Sequence, residues 1–120
     1  MIAASFVVDT YDFQDPGFHQ LDGRIIEAVK STKGYIGEEA WIDPKTNRAC
    51  TVYYWESIEG LQELMNNPDH LEAKGRSGRW LKGYKVIVSE VIALYGTDDY
   101  GHPLDGRSFG REVLSRNSGT

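Results

Sequence analysis

The sequence is poor in cysteine, in basic charge and in long apolar runs. A single Cys50 among 120 residues excludes an internal disulfide, and in its strand-like setting it reads as a small buried hydrophobe. Eighteen acidic against thirteen basic residues leave a net charge of −5, which disfavours a nucleic-acid backbone or an anionic membrane surface as partner. No apolar stretch approaches the roughly 20 residues needed to span a bilayer, and the start lacks the basic and apolar regions of a signal peptide. The expected location is therefore the cytoplasm. A glycine-rich phosphate loop, a nucleophile elbow and a zinc signature are all absent. The three histidines, His19, His70 and His102, are spaced too irregularly for a metal motif, and no metal site is expected. His19 and His102 read as surface residues.

What is present is a regular alternation of strand and helix patterns in a chain long enough for one core, burying roughly 60 to 70% of its unfolded surface. Ile2 to Tyr11 is apolar on both parities, which asks for cover on both faces of a strand. Asp15-Pro16-Gly17 signals a turn or helix entry. From Phe18 the residues Leu21, Ile25, Ile26 and Val29 recur at helical spacing, with Asp22, Arg24, Glu27 and Lys30 between them and Gly34 as the stop. Tyr35 to Ile42 and Arg48 to Trp55, joined by a polar turn, predict an antiparallel hairpin. Ser57 is a suitable N-cap for a short helix carrying Leu61, Leu64 and Met65. Pro68 then suits the first turn of a second helical piece bearing His70. Tyr84 to Tyr95 is the most strand-like stretch, again apolar on both parities. Past Gly96 the composition turns to Gly, Asp, Ser and Arg, with Leu104, Phe109, Val113 and Leu114 as the residues able to dock.

The order strand, helix, strand, strand, helix, strand is the split βαβ arrangement of ferredoxin-like α+β domains, with a four-stranded antiparallel sheet and both helices on one face. A bare second face would expose a large apolar patch. The expectation is a homodimer packed through its sheet faces as an α+β barrel. The body is expected over residues 1–96, with residues 97–120 as an extension docked on the body or on a second subunit.

The segment Tyr54-Trp55-Glu56-Ser57, its spacing to His70, Ala73 and Lys74, and then Gly78-Arg79-Trp80 and Tyr84 resemble the antibiotic biosynthesis monooxygenase family, in particular its small haem-degrading-monooxygenase-like members. The resemblance covers roughly residues 2–96 and is strongest over 51–95. It implies a dimeric α+β barrel with a pocket between helices and sheet in each subunit. Its functional implications are mixed, because the family includes oxygenases of polyphenols or anthrones that use no metal or flavin, enzymes that open haem, and members of unknown role. The positions that the resemblance assigns to the haem enzymes' tryptophan and iron ligand fall on Leu64 and Lys74. Neither side chain supplies an indole or an axial ligand, which disfavours haem as cofactor.

Oxygenation without a cofactor needs a base, an anion-stabilising donor and a dry aromatic pocket. His70 is the expected catalytic base. Arg79 or Tyr84 would stabilise the anion, and Tyr54, Trp55 and Trp80 would hold a planar ring. Each residue also has an ordinary reading: His70 in a helix's first turn, the tryptophans in packing, Arg79 as a solvated charge. The leading expectation is a monooxygenase acting on a small planar aromatic or polyketide-like compound. The alternatives are a non-catalytic ligand-binding or stress-related barrel protein, a haem-degrading enzyme, and a lyase or isomerase on the same scaffold.

Overall fold

The computed structural model describes residues 1–12, 14–68 and 77–118. Four strands, β1 (Ile2–Thr10), β2 (Tyr35–Asp43), β3 (Arg48–Trp55) and β4 (Leu81–Glu90), form one antiparallel sheet in the order β2-β3-β1-β4. Helices α1 (Pro16–Lys30) and α2 (Ile58–Met65) pack on one face, and a terminal helix α3 (Arg111–Ser118) follows the sheet. This is the ferredoxin-like α+β architecture that the element order predicts.

Local chemistry sets the helix ends. The Asp15 carboxylate accepts from the backbone N–H groups of Gly17 at 2.7 Å and Phe18 at 3.3 Å, satisfying two of the donors a helix start leaves open, and Pro16 occupies the first turn. At the far end Gly34, at φ +74°, makes the left-handed turn into β2. Its carbonyl accepts from Glu56 N–H at 2.8 Å, joining the α1–β2 turn to the β3–α2 junction. Ser57 is the N-cap of α2 by backbone conformation, but its side chain makes no capping bond. The turn is held instead by Glu59 and Glu63, which reach Lys33 through its ammonium and its backbone N–H respectively.

Strand pairing assigns the faces. Ala4 lies opposite Tyr53 and Val88, Phe6 opposite Thr51 and Val86, and Val8 opposite Ala49 and Tyr84. Partners across a ladder share a face, so these residues and Trp55 form the helix-side face. Ala4, Tyr53 and Trp55 close with Ala28, Val29, Leu61 and Leu64 into the buried core. A register shift between Tyr35 and Gly37 inserts an extra residue in β2, as a β-bulge does. Tyr35 and Glu38, three apart, thereby share the helix-side face, and Tyr35 Oη–H donates to Glu38 Oε1 at 3.1 Å.

The outer face carries Val7, Cys50, Val52, Tyr54, Trp41 and Ile87 by the same alternation. Part of it is covered by the chain's own extension. Pro103 sits over Gly37, where an added Cβ would lie 2.8 Å from the proline Cβ. His102 Nε2 meets Glu39 Oε2, its ring lies 6.3 Å from that of Tyr54, and Leu104 is buried. Leu94 and Phe109 exchange two backbone hydrogen bonds, at 2.8 and 2.9 Å. β4 ends at Glu90, five residues short of the predicted Tyr95, because Glu90 pairs with Ile2 at the start of β1 and the ladder has no partner beyond it; Leu94 pairs instead with the returning extension. At the other end β4 starts at Leu81, three residues before the predicted Tyr84.

The sequence predicts burial on both faces of β4, but in the single chain Val86 and Val88 on the helix side and Ile87 on the outer side are about half exposed. β4 is an edge strand, so it has a neighbour on one side alone. Trp41, on the opposite edge strand, is 56% exposed. No helix among the described residues is long and apolar enough to cross a membrane.

Candidate functional site

A cavity of about 660 Å³ lies between the helix-side face of the sheet and helices α1 and α2. Its floor is Ala4, Phe6, Val8, Thr51, Tyr53 and Trp55. Phe18, Leu21, Asp22, Ile25 and Val29 of α1 form one wall, Leu61, Leu64 and Met65 of α2 another, and Trp80, Tyr84 and Val86 close the β4 end. The volume falls within the range of small-molecule sites, and the lining is mostly apolar with a few polar groups, as in such sites generally.

The aromatic positions follow from packing. Trp55 has no exposed surface, and its Nε1–H donates to Thr32 Oγ1 at 2.7 Å, which satisfies the indole's single donor in the core. Gly60 lets α2 approach this ring, since a Cβ there would collide with Trp55 Cδ1 and the Lys33 carbonyl. Tyr53 and Trp55 lie with ring centroids 6.1 Å apart, Phe6 and Tyr84 5.9 Å apart. The ring of Trp80 rests against Gly17 at the start of α1.

The expected site residues divide into three groups. Trp55, Trp80 and Tyr84 line the cavity. Tyr54 does not join them. Adjacent strand residues point to opposite faces, so grouping Tyr54 with Trp55 conflicts with the pleat, and Tyr54 lies on the outer face against Glu39 and His102. Arg79 is exposed in a short 3-10 turn, Ser77–Arg79, outside the cavity lining, so the structure gives it no hold on a bound anion there. His70 and Lys74 lie outside the described residues. Leu64, at the position that disfavours haem, is buried and lines the cavity.

The polar lining includes Asp22, which the sequence reading does not single out, and His19, which is exposed as expected. Asp22 faces the cavity from α1, and His19, one turn earlier, stands exposed at the rim. The signal was available: Phe18, Asp22, Ile25 and Val29 are spaced 4, 3 and 4 residues apart, a single helical stripe with a carboxylate in place of an apolar residue. Burial raises the Asp22 pKa, the negative charge of Glu38 adds to the rise, and His19 opposes it. Tyr53 is pushed well above the ordinary tyrosine value, first by burial and then by the charges of Glu38 and Asp22. Tyr35 is raised to about 12 by burial and by Glu38. Among the described residues no group of three or more His, Cys, Asp or Glu side chains could hold a metal ion.

Comparison with protein-family profiles finds no match. The uncharacterised protein YqjZ of Bacillus subtilis is 29% identical over 79 residues, which cover 64% of this chain and 68% of YqjZ. Similar solved structures include a proposed antibiotic biosynthesis monooxygenase from Deinococcus radiodurans (TM-score 0.66, 13% identity, 84% of this chain and 100% of that one). Another, from Nitrosomonas europaea, gives TM-score 0.64 at 8% identity, covering 77% and 99% of the two chains. SnoaB, a cofactor-independent oxygenase from Streptomyces nogalater, gives TM-score 0.63 at 8% identity over 75% of this chain and 91% of that one. The chain thus has the ferredoxin-like fold of the antibiotic biosynthesis monooxygenases.

Proposed function

We propose that the protein is a monooxygenase that binds a small planar aromatic or polyketide-like compound in the cavity between sheet and helices and oxidises it with dioxygen, without metal or flavin. The observation that carries this reading is the cavity itself, with Phe6, Tyr53, Trp80 and Tyr84 as its aromatic lining and the carboxyl of Asp22 on its wall. The fold shared with SnoaB supports the reaction class. The stoichiometry asks nothing further of the protein: converting an activated methylene to a carbonyl consumes one dioxygen and releases one water. The substrate supplies all four electrons. The protein's part is to accept a proton, hold the ring and keep water out. On sequence alone the candidate for that proton acceptor is His70, whose ordinary pKa lies near neutrality and which lies outside the described residues.

The assembly belongs to the same proposal. A second copy packed on the outer face of the sheet would cover the exposed Trp41 and Ile87 there, in a homodimer.

Oxygen uptake with a panel of anthrones and hydroquinones tests the activity. Consumption of one dioxygen per substrate is the expected result. Saturable binding of these compounds without any product would favour the non-catalytic ligand-binding reading.

A further inference from the structure

We propose that Asp22 is the proton acceptor of the cavity, taking the proton from a carbon acid or phenol held among the rings of Phe6, Tyr53 and Tyr84. This rests on the cavity being the substrate site. The carboxyl is placed by the 18, 22, 25, 29 stripe of α1, which turns one charged residue toward the sheet among apolar neighbours. Its ionisable surroundings come from each packed element. His19 belongs to α1, Glu38 to β2 and Tyr53 to β3, Tyr35 of β2 is hydrogen-bonded to Glu38, and Lys85 of β4 is on the lining.

Such a site suits proton abstraction. A carboxylate in an apolar wall beside a second negative charge gains more from accepting a proton than one in water. In the step, a substrate C–H or O–H bond breaks, the proton passes to an Asp22 carboxylate oxygen, and the electron pair stays on the ring system. Dioxygen then takes electrons from that anion and recombines with it to a peroxide. Asp22 returns its proton to the outer peroxide oxygen, and breaking of the O–O bond and of the second C–H bond at that carbon then expels water, which takes up that second proton, and leaves the carbonyl. The arrangement also selects the substrate class. With Asp22 and Glu38 both acidic at this end, it favours an uncharged ligand presenting an acidic C–H or O–H over one bearing a carboxylate.

The test is deuterium incorporation at the methylene of anthrone, in heavy water under argon, followed by proton NMR. Without dioxygen the measurement isolates proton transfer from oxygenation. Wild-type protein is expected to accelerate exchange over buffer, with a rate that rises as Asp22 ionises. Asp22→Asn should lower the accelerated rate on the order of 100-fold, the usual contribution of a general base, and flatten the pH profile. Binding of anthrone, read by quenching of tryptophan fluorescence, should change less than about threefold, because the stacking surface is intact. Asp22→Glu should restore much of the rate. Asp22→Ser, checked with the others by circular dichroism, decides the matter in the same way if the asparagine variant does not fold.

An Asp22→Asn rate within about twofold of wild type overturns the proposal, all the more if His70→Ala abolishes exchange. Anthrone bound by wild type without accelerated exchange overturns it too, while leaving the cavity as a binding site. No binding at all refutes the reading of the cavity. Exchange that depends on Asp22 without oxygen uptake supports the proposal and refutes only the oxygenase reading.

Discussion

Thr32→Val should destabilise the protein by about 2 to 3 kcal/mol, although it changes no apolar contact and little volume. The threonine is nearly buried beyond the end of α1, with its hydroxyl between two partners. Oγ1 accepts from Trp55 Nε1 at 2.7 Å and donates to the Val29 carbonyl at 2.5 Å. Valine keeps the shape and removes both bonds. The Val29 carbonyl still accepts from the backbone N–H of residue 32 at 3.1 Å, so it is not orphaned. The indole N–H is, in a side chain with no exposed surface. An unsatisfied buried donor costs about 1 to 3 kcal/mol and a lost hydrogen bond about 0.5 to 1.5 more, together about 1.5 to 4.5 kcal/mol, within which the stated range lies. Trp55→Phe costs about 2 kcal/mol through lost ring volume, but removes the donor itself. The double variant should therefore fall short of additivity by about 1 to 2 kcal/mol. Urea unfolding followed by fluorescence and circular dichroism reads this as a midpoint shift of roughly 1 to 2 M for Thr32→Val at unchanged slope. A loss below about 0.5 kcal/mol, or full additivity, would refute the argument that this hydroxyl satisfies the floor of the cavity.

Gly60→Ala should cost more than 2 kcal/mol by the same assay, since a clash with a backbone carbonyl and an indole outweighs the roughly 1 kcal/mol gained in helix propensity. Asp22→Asn should be more stable than wild type at pH 7 and equal to it near pH 3. The folded pKa is raised, so the folded state holds more protons than the unfolded between the two pKa values, and wild-type stability falls as pH rises through that window; thermal melts across pH read the crossover. Spectrophotometric titration should find Tyr35 and Tyr54 ionising only near pH 12, two units above exposed tyrosines, with Tyr53 later still. In light scattering the wild-type chain should have twice its monomer mass, and Ile87→Asp should shift it toward monomer, since a charge on an apolar contact surface is left unpaired.

Much of the fold is legible in the sequence because its elements carry local signals that tertiary packing does not oppose. Asp15-Pro16 opens α1, Gly34 ends its turn, and the runs Tyr35–Asp43 and Arg48–Trp55 flank a turn in which Asn47 takes φ 58°. The end of β4 is not legible, because its apolar pattern runs on to Leu94 and gives no sign that the ladder closes where Ile2 of β1 pairs with Glu90. The extension's seat on the outer face is illegible for a related reason. It depends on Gly37 leaving room for Pro103 and on His102 meeting Glu39, contacts across more than sixty positions of chain with no periodic pattern. Of the cavity lining, the aromatic residues Trp55, Trp80 and Tyr84 are pointed to by the family resemblance. Asp22 is hidden by the habit of assigning any charged helical residue to the solvent side.

The alternation of β3 shows how one strand serves two surfaces without coupling them. Tyr53 and Trp55 turn toward the helices and floor the cavity, while Tyr54 turns outward to Glu39 and His102. His102 is oriented there by its own segment: Leu104 N–H donates to Nδ1 at 3.1 Å, which leaves Nε2 to carry the hydrogen toward Glu39. Because the side-chain period of a strand is two, a one-residue slip of β3 would exchange the two sets, placing Tyr54 in the cavity and Trp55 under the extension. The β2 bulge and the buried Trp55–Thr32 bond both resist that slip, the first by setting the phase of the neighbouring strand and the second by tying the ring to the end of α1. The residues that fix register are therefore the ones that decide which aromatic side chains a ligand can meet.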